Sequence, residues 1–250
     1  MPTNLSRAQI VREDEGAINR RIVARVAKAD YRRIEAASIK MMARFTSAEG
    51  KRLFLRYFSS LQLHMHFISV IARLRLEAAE VEAVEEAIRS RLNAATQSIN
   101  DAIDAAEALF QAHGITTAAT YDTEALEIEA AIISSFGRRY LETISKLDQL
   151  MPLLQTLEIH EIATHQSLEI QRALLKRQVR DIAHAARGIA NGLRRRLNVQ
   201  AQESAAAPLA GEEAIIESAD DEGNDGSVIT GAAETVIVQQ ASEESQKETA

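Results

Sequence analysis

The run TSAEGKRLFLRYFSSLQLHMHFISVIA, residues 46–72, is apolar nearly all the way round a helix. Leu53, Phe54, Leu55, Tyr57, Phe58, Leu61, Leu63, Met65, Phe67, Ile68, Val70 and Ile71 leave no polar face. A helix of that kind must be buried by several neighbours. Thr46, Ser47, Ala48 and Glu49 read as a capping box, with Thr46 bonding the backbone three residues on and Glu49 reaching back. The spacing predicts a helix from about Ala48 to Leu76, at the centre of a bundle.

The flanking segments supply its neighbours. A first helix reads from about Ala17 to Phe45, with Ile18, Ile22, Val23, Val26, Ile34, Met41 and Met42 at helical spacing. A third helix carries Val81, Val84, Ile88, Leu92, Ala95, Ile99, Ile103, Ala106 and Phe110 on its inner stripe, and Gly114 suits the left-handed turn after it. The pattern turns from apolar to acidic at Glu77–Glu80, which places a bend there; one long helix is the alternative. Residues 115–134 are the least helical part of the fold. Leu126, Ile128, Ala130 and Ile132 alternate with Glu127 and Glu129 at strand spacing, but Ala and Glu are mediocre strand formers. Strand and helix both stay open over 124–133, with helix slightly preferred. Ser134 or Ser135 can cap a fourth helix, which Pro152 would kink or end unless it opens a new turn. A fifth helix begins between Ile162 and Ser167 and runs to about Asn198. The expected fold is all-α, an elongated bundle of about five helices with an irregular or short-strand insert near 115–134.

Composition agrees with that class. Trp and Cys are absent, and only three Pro and ten Gly occur in 250 residues. Without cysteine there is no disulfide, thiolate metal site or thiol nucleophile, and a reducing cytoplasm fits. The polar start, MPTNLSRAQIVREDEG, has no apolar signal core, and no stretch reads as a membrane span. The net charge of −7 hides a division. Residues 199–250 hold twelve acids and one base, while residues 1–198 hold four more bases than acids. Three parts follow: a flexible N-terminus at 1–16, a helical domain at 17–198, and a disordered acidic tail at 199–250.

Enzyme signatures are missing: no G-x-G-x-x-G, no G-x-x-x-x-G-K-[ST], no G-x-S-x-G and no H-E-x-x-H. His64 and His66 point about 200° apart on a helix and cannot share an ion. Glu161 and His165 could supply two ligands on one face, but no Glu-x-x-His element completes a bundle metal site. The carboxylates Glu82, Glu85, Glu86, Asp101 and Asp104 read as a solvated face. Gly188-x-x-x-Gly192, with Ala183, Ala186 and Ala190, reads as a close-packing surface. No cofactor, metal site or catalytic residue is expected.

Two basic lines stand out. In the fifth helix, Leu175, Ile182 and Ile189 form one buried seam and Val179, Ala186 and Leu193 the adjacent one. On the other side Arg177, Arg180, His184, Arg187, Asn191 and Arg194 form a polar stripe without an acid, with Asp181 beside it. In the first helix Arg21, Arg25, Lys28 and Arg32 make a similar line. Such lines can follow phosphates, releasing counterions as they do. They are also what a solvated or protein-facing helix looks like. Arg195 and Arg196 fit a helix C-terminus, where they complement the macrodipole. Aromatic interleaving is absent from both lines, so duplex backbone contact is the better nucleic-acid version.

The stretches SSFGRRYLETISKLDQLMPLLQTLEIHEI and RALLKRQVRDIAHAARGIANGLRRRLN resemble proteins of integrating conjugative elements and conjugative plasmids, the AcaB-like regulators. Phe136-Gly-Arg-Arg-Tyr140 and Leu147-Asp-Gln-Leu150 carry the resemblance, which covers about 45–198. It implies a bacterial cytoplasmic protein of a mobile element, acting in control of transfer genes. Regulators of that kind have been linked to a ribbon-helix-helix fold. A strand at 124–133 would turn Glu127 and Glu129 outward, the wrong sign for reading DNA, and the helices are long for that small fold. Specific readout by such a ribbon is disfavoured.

The expected function is therefore non-enzymatic: an accessory or regulatory protein contacting double-stranded DNA through its first and last helices. The alternative is a helical scaffold for another protein or for a second copy of itself. A tethered acidic tail has a high effective concentration at Arg194–Arg196 and competes there with phosphates. Deleting residues 199–250 is expected to strengthen duplex binding at low salt, read by fluorescence anisotropy; equal binding with and without the tail removes the masking idea.

Overall fold

The computed structural model describes residues 17–28 and 36–206. The expected flexible N-terminus, Arg32 and the acidic tail beyond 206 lie outside the described residues. Five helices and a two-stranded antiparallel sheet make up the rest. In order they are α1 (Ala17–Lys28), β1 (Ile39–Phe45), α2 (residues 48–74), α3 (Ala78–Ala112), β2 (Leu126–Ile132), α4 (Ser135–Ile159) and α5 (His165–Ala206).

The central helix is where the sequence places it. α2 packs against α1, α3, α4 and α5. Leu53, Phe54, Phe58, Leu61, Met65 and Ile68 are buried, and the Phe45, Phe54 and Phe58 rings follow one another at 5.1 and 4.9 Å. Each such side chain contributes roughly 1.5–3 kcal/mol on burial. α2 is not uniform: it is α-helical at Ala48–Leu53 and Ser59–His66, with π-helical turns at Phe54–Phe58 and Phe67–Ile71. Its burial is not complete either, because Leu63, Val70, Ile71 and Leu74 are exposed, Leu74 at 81%. The break before α3 falls at the expected bend, with Glu77 in an extended conformation as its N-cap.

The first helix departs from expectation. α1 ends at Lys28, and Ile39–Phe45 is a strand, not a helix tail. Met, Lys, Ala and Arg are good helix formers, so propensity favoured a helix there. Pairing with β2 overrides it. The ladder runs from Ile39 opposite Ile132 to Phe45 opposite Leu126. Ala43 and Phe45 face the core, while Met42 is 70% exposed. The apolar side of α1 is also narrower than its pattern: Ile22 is buried, but Ile18 and Val23 are exposed. The ribbon likewise makes Leu126–Ile132 a strand, against the slight preference for helix over 124–133, with Leu126, Ile128, Ala130 and Ile132 all buried.

Each strand runs directly into a capped helix. Ser47 caps α2, its hydroxyl accepting from Gly50 N at 3.0 Å, and Ser134 caps α4 by accepting from Gly137 N at 3.1 Å. The cap of α2 is thus Ser47 rather than Thr46. Thr46 and Ser47 instead direct both backbone N–H groups and both hydroxyls at Asp148 of α4, at 2.5–3.1 Å. In return Gln62 of α2 accepts from Ile133 N at 3.0 Å and donates to the Ala131 carbonyl at 2.9 Å. Each strand-to-helix turn is held by a polar side chain from the helix that follows the other strand. The same residue spacing separates Ser47 from Ser134 and Gly50 from Gly137, so the caps extend the local two-fold of the ribbon.

Other helix details differ from the sequence reading. α4 continues through Pro152 to Ile159 rather than ending there. Proline lacks the N–H that would bond the Asp148 carbonyl, yet packing of Leu147, Leu150, Met151 and Leu154 in the core holds the helix across it. α5 continues to Ala206, two turns past Asn198, so the truncation that spares the helix removes residues 208–250. Gly188 and Gly192 have open space beside them; Ala183, Ala186 and Ala190 are the buried small residues.

These contrasts set opposite expectations for three glycines. A Cβ on Gly50 would meet the Asp148 carboxylate, and one on Gly137 the Gln62 amide. Gly50→Ala and Gly137→Ala should each lower stability by about 1–3 kcal/mol, as overpacking does. Gly188→Ala should raise it by roughly 0.5–1 kcal/mol, because helix propensity is then the only change. Urea-unfolding midpoints check all three.

Candidate nucleic-acid interface

α5 positions the basic stripe. Leu175, Val179, Ile182, Ala183, Ala186, Ala190, Leu193 and Leu197 are buried on one side; of the six seam residues only Ile189 is partly exposed. The Tyr140 hydroxyl fixes the helix along its length by donating to the Val179 carbonyl at 3.1 Å. Burial pushes that phenol far above its ordinary pKa, so it stays a donor. Nearer the N-terminus of α5, Arg172 is 8% exposed and ties it to α4: it donates to Glu158 (3.2 Å) and Gln155 (3.3 Å) of α4 and to Glu169 (2.6 Å) of its own helix. His165 also meets Glu158, at 2.6 Å. Hydrogen bonding from His165 and Arg172 holds the Glu158 carboxyl below its usual range. Arg172 is therefore a structural clamp that spacing alone did not single out.

The eight sequence-expected binding residues divide into groups. Arg21, Arg177, Arg180, Arg187 and Arg194 are exposed on α1 and α5. Arg25 and Lys28 lie in α1, and Arg32 lies outside the described residues. α1 and α5 both pack against the Phe54–Phe58 turn of α2, so the two basic helices share a neighbour. The Asn19 amide anchors α1 by donating to the Glu124 and Ala125 carbonyls at 3.0 and 3.3 Å.

The stripe on α5 is not uniformly cationic. Asp181 pairs with Arg177 at 3.5 Å and with Arg180 at 3.6 Å, so an acid that was expected to lie beside the stripe neutralises its first half. Arg196 pairs with Glu80 of α3. Its placement, with Arg195, at a helix C-terminus fails: α5 runs well beyond them, and macrodipole effects fade within the last turn. Arg187, Arg194 and Arg195 have no carboxylate partner within 4.0 Å among the described residues. Arg194 is nonetheless fixed. Its guanidinium lies over the Phe67 ring, 4.4 Å from the centroid, and donates to Asn191 Oδ1 at 3.1 Å. His184 contacts Tyr57 ring to ring at 5.5 Å.

The outer face of the ribbon is less acidic than β2 alone implies. Glu127 and Glu129 do face outward, but β1 sets Lys40, Met42 and Arg44 on the same side, with Met42 opposite Glu129 and Arg44 opposite Glu127. Arg44 and Glu127 approach to 3.6 Å. The face is balanced rather than acidic. Among the described residues no three His, Asp or Glu side chains gather as metal ligands, and no helix is long and apolar enough to cross a membrane.

No protein-family model matches the sequence, and no curated protein does. Among solved structures it is similar to selenomethionine-containing AcaB from uropathogenic E. coli. The two are 23% identical, with a TM-score of 0.62 over 72% of this chain and 92% of that one. The strand–capped helix pairs and the long α5 described above thus belong to a chain with the fold of AcaB.

Proposed function

We propose that this is a non-enzymatic accessory or regulatory protein of a bacterial conjugative element, which contacts duplex DNA through the cationic face of α5. The carrying observation is the Arg187–Arg195 segment, an exposed set of arginines with no acidic partner among the described residues on a helix locked at Tyr140 and Arg172. Unpaired, preorganised guanidinium groups favour phosphate contact, because no existing ion pair has to break. The likeness in fold to AcaB supports the regulatory setting. α1 adds Arg21, with Arg25, Lys28 and Arg32 of the sequence line, as secondary contacts.

Exposed Leu63, Val70, Ile71 and Leu74 on α2 favour a second reading, an adaptor that binds protein, with a second copy of the chain as the simplest partner. Ile71→Ser with Leu74→Ser would then abolish a dimer seen by sedimentation, without touching the arginines.

A salt titration separates the two. Reversing Arg187, Arg194 and Arg195 to Glu should lower the log–log salt slope of duplex binding by about 3, one per lost phosphate contact. Asp181→Asn should act the other way, raising affinity several-fold by releasing Arg177 and Arg180. No duplex binding at low ionic strength, with residues 208–250 present or removed, rejects the nucleic-acid reading itself.

A further inference from the structure

We propose that the seam between α2 and α5 at His64, Arg187 and Arg194 is a seat for phosphodiester groups that takes up a proton as it fills. This rests on the duplex contact by α5 and names where and how it is made.

The geometry begins at His64, half-buried on α2. Its Nδ1 is 2.5 Å from the carbonyl of Ser60, one turn back, and 3.3 Å from the Ser60 hydroxyl. A ring nitrogen that close to a carbonyl carries the hydrogen, so Nε2 is the atom that titrates. Phe67, one turn along α2 from His64, carries the Arg194 guanidinium 4.4 Å from its ring centroid, and Tyr57 of α2 meets His184 at 5.5 Å, so α5 runs beside this face of α2 and brings the cationic Arg194 and Arg187 to bear on the imidazole. On its own helix the Ser60 carbonyl and hydroxyl are the polar groups at the ring. Burial, then the two arginines, hold the imidazole below its ordinary value, against the opposing pull of the Ser60 carbonyl. Near neutral pH the ring is uncharged and Nε2 is a lone pair.

An anion reverses that balance. Arg194 is already pinned over Phe67, so little side-chain freedom is lost when it binds. Arg187 and Arg194 are two helical turns apart, about 10 Å of rise, with the imidazole of the neighbouring helix under the influence of both. A strand of repeated charges fits that spacing better than an isolated ion. Phosphate oxygens there offset the two guanidinium charges and accept from a protonated Nε2. One proton passes from solvent to Nε2, and no covalent bond between heavy atoms changes.

The test follows the imidazole signals of the full chain by NMR across pH, free, with a short duplex and with inorganic phosphate. The duplex should raise the His64 pKa, and duplex affinity should strengthen as pH falls, by up to tenfold per unit where one proton is taken up. His64→Gln should flatten that dependence and keep the salt slope. A bound duplex with an unmoved His64 overturns the seat and leaves the proposed function standing. If no duplex binds, the phosphate arm decides: a raised His64 pKa supports an anion seat, and an unchanged one overturns it.

Discussion

Much of this fold depends on where the backbone N–H groups of Thr46 and Ser47 find acceptors. A strand that turns straight into a buried helix leaves those donors without helical partners. Burying them unsatisfied would cost roughly 1–3 kcal/mol each. Asp148 of α4 supplies both carboxylate oxygens, and Ser47 passes the bond on to Gly50 N. That solution requires α4 to lie against the start of α2, and it requires a glycine where a Cβ would strike the carboxylate. The second turn solves the same problem with an amide. Gln62 both accepts from Ile133 and donates to Ala131, which a carboxylate could not do. The two locks together fix the ribbon over α2 and α4, and the remaining helices pack against that frame.

Much of this was legible in the sequence. An all-round apolar helix has to be central, and the two seams of α5 are buried as their spacing requires, except for the partly exposed Ile189. What was not legible depended on long-range partners. Ile39–Phe45 is built of helix-forming residues, and only its pairing with β2 makes it a strand. The signal that could have exposed it is the repeated Ser-x-x-Gly, Ser47 to Gly50 and Ser134 to Gly137, each directly after alternating apolar residues. Arg172 escaped for a related reason. Its three partners include Gln155 and Glu158 on another helix, and one-dimensional spacing sees only Glu169.

The candidate interface was half legible for electrostatic reasons. Helical spacing gives the stripe but not which of its charges are already spent. Asp181 sits one position off the line, yet side-chain reach brings it to both Arg177 and Arg180. Exposed pairs of this kind contribute little to stability, roughly 0–1 kcal/mol. Their effect on a polyanion is larger, since each paired guanidinium enters the encounter with its field partly cancelled. The cationic character is thereby concentrated at Arg187, Arg194 and Arg195.

Carrying both strands of the ribbon in one chain has a further consequence. Two identical subunits would have to place the same charges on both strands and on both following helices. A single chain is free to differ between its halves, and this one does. β1 turns Lys40 and Arg44 outward where β2 turns Glu127 and Glu129. α3, the second helix after β1, exposes Glu82, Glu86, Asp101 and Asp104; α5, the second helix after β2, exposes the arginines. A symmetric surface would present two equivalent faces to a duplex. The divergence leaves the outer face of the ribbon balanced and puts an excess of acids on α3 and of arginines on α5; under the proposed function, that asymmetry would favour one orientation on a polyanion over the other.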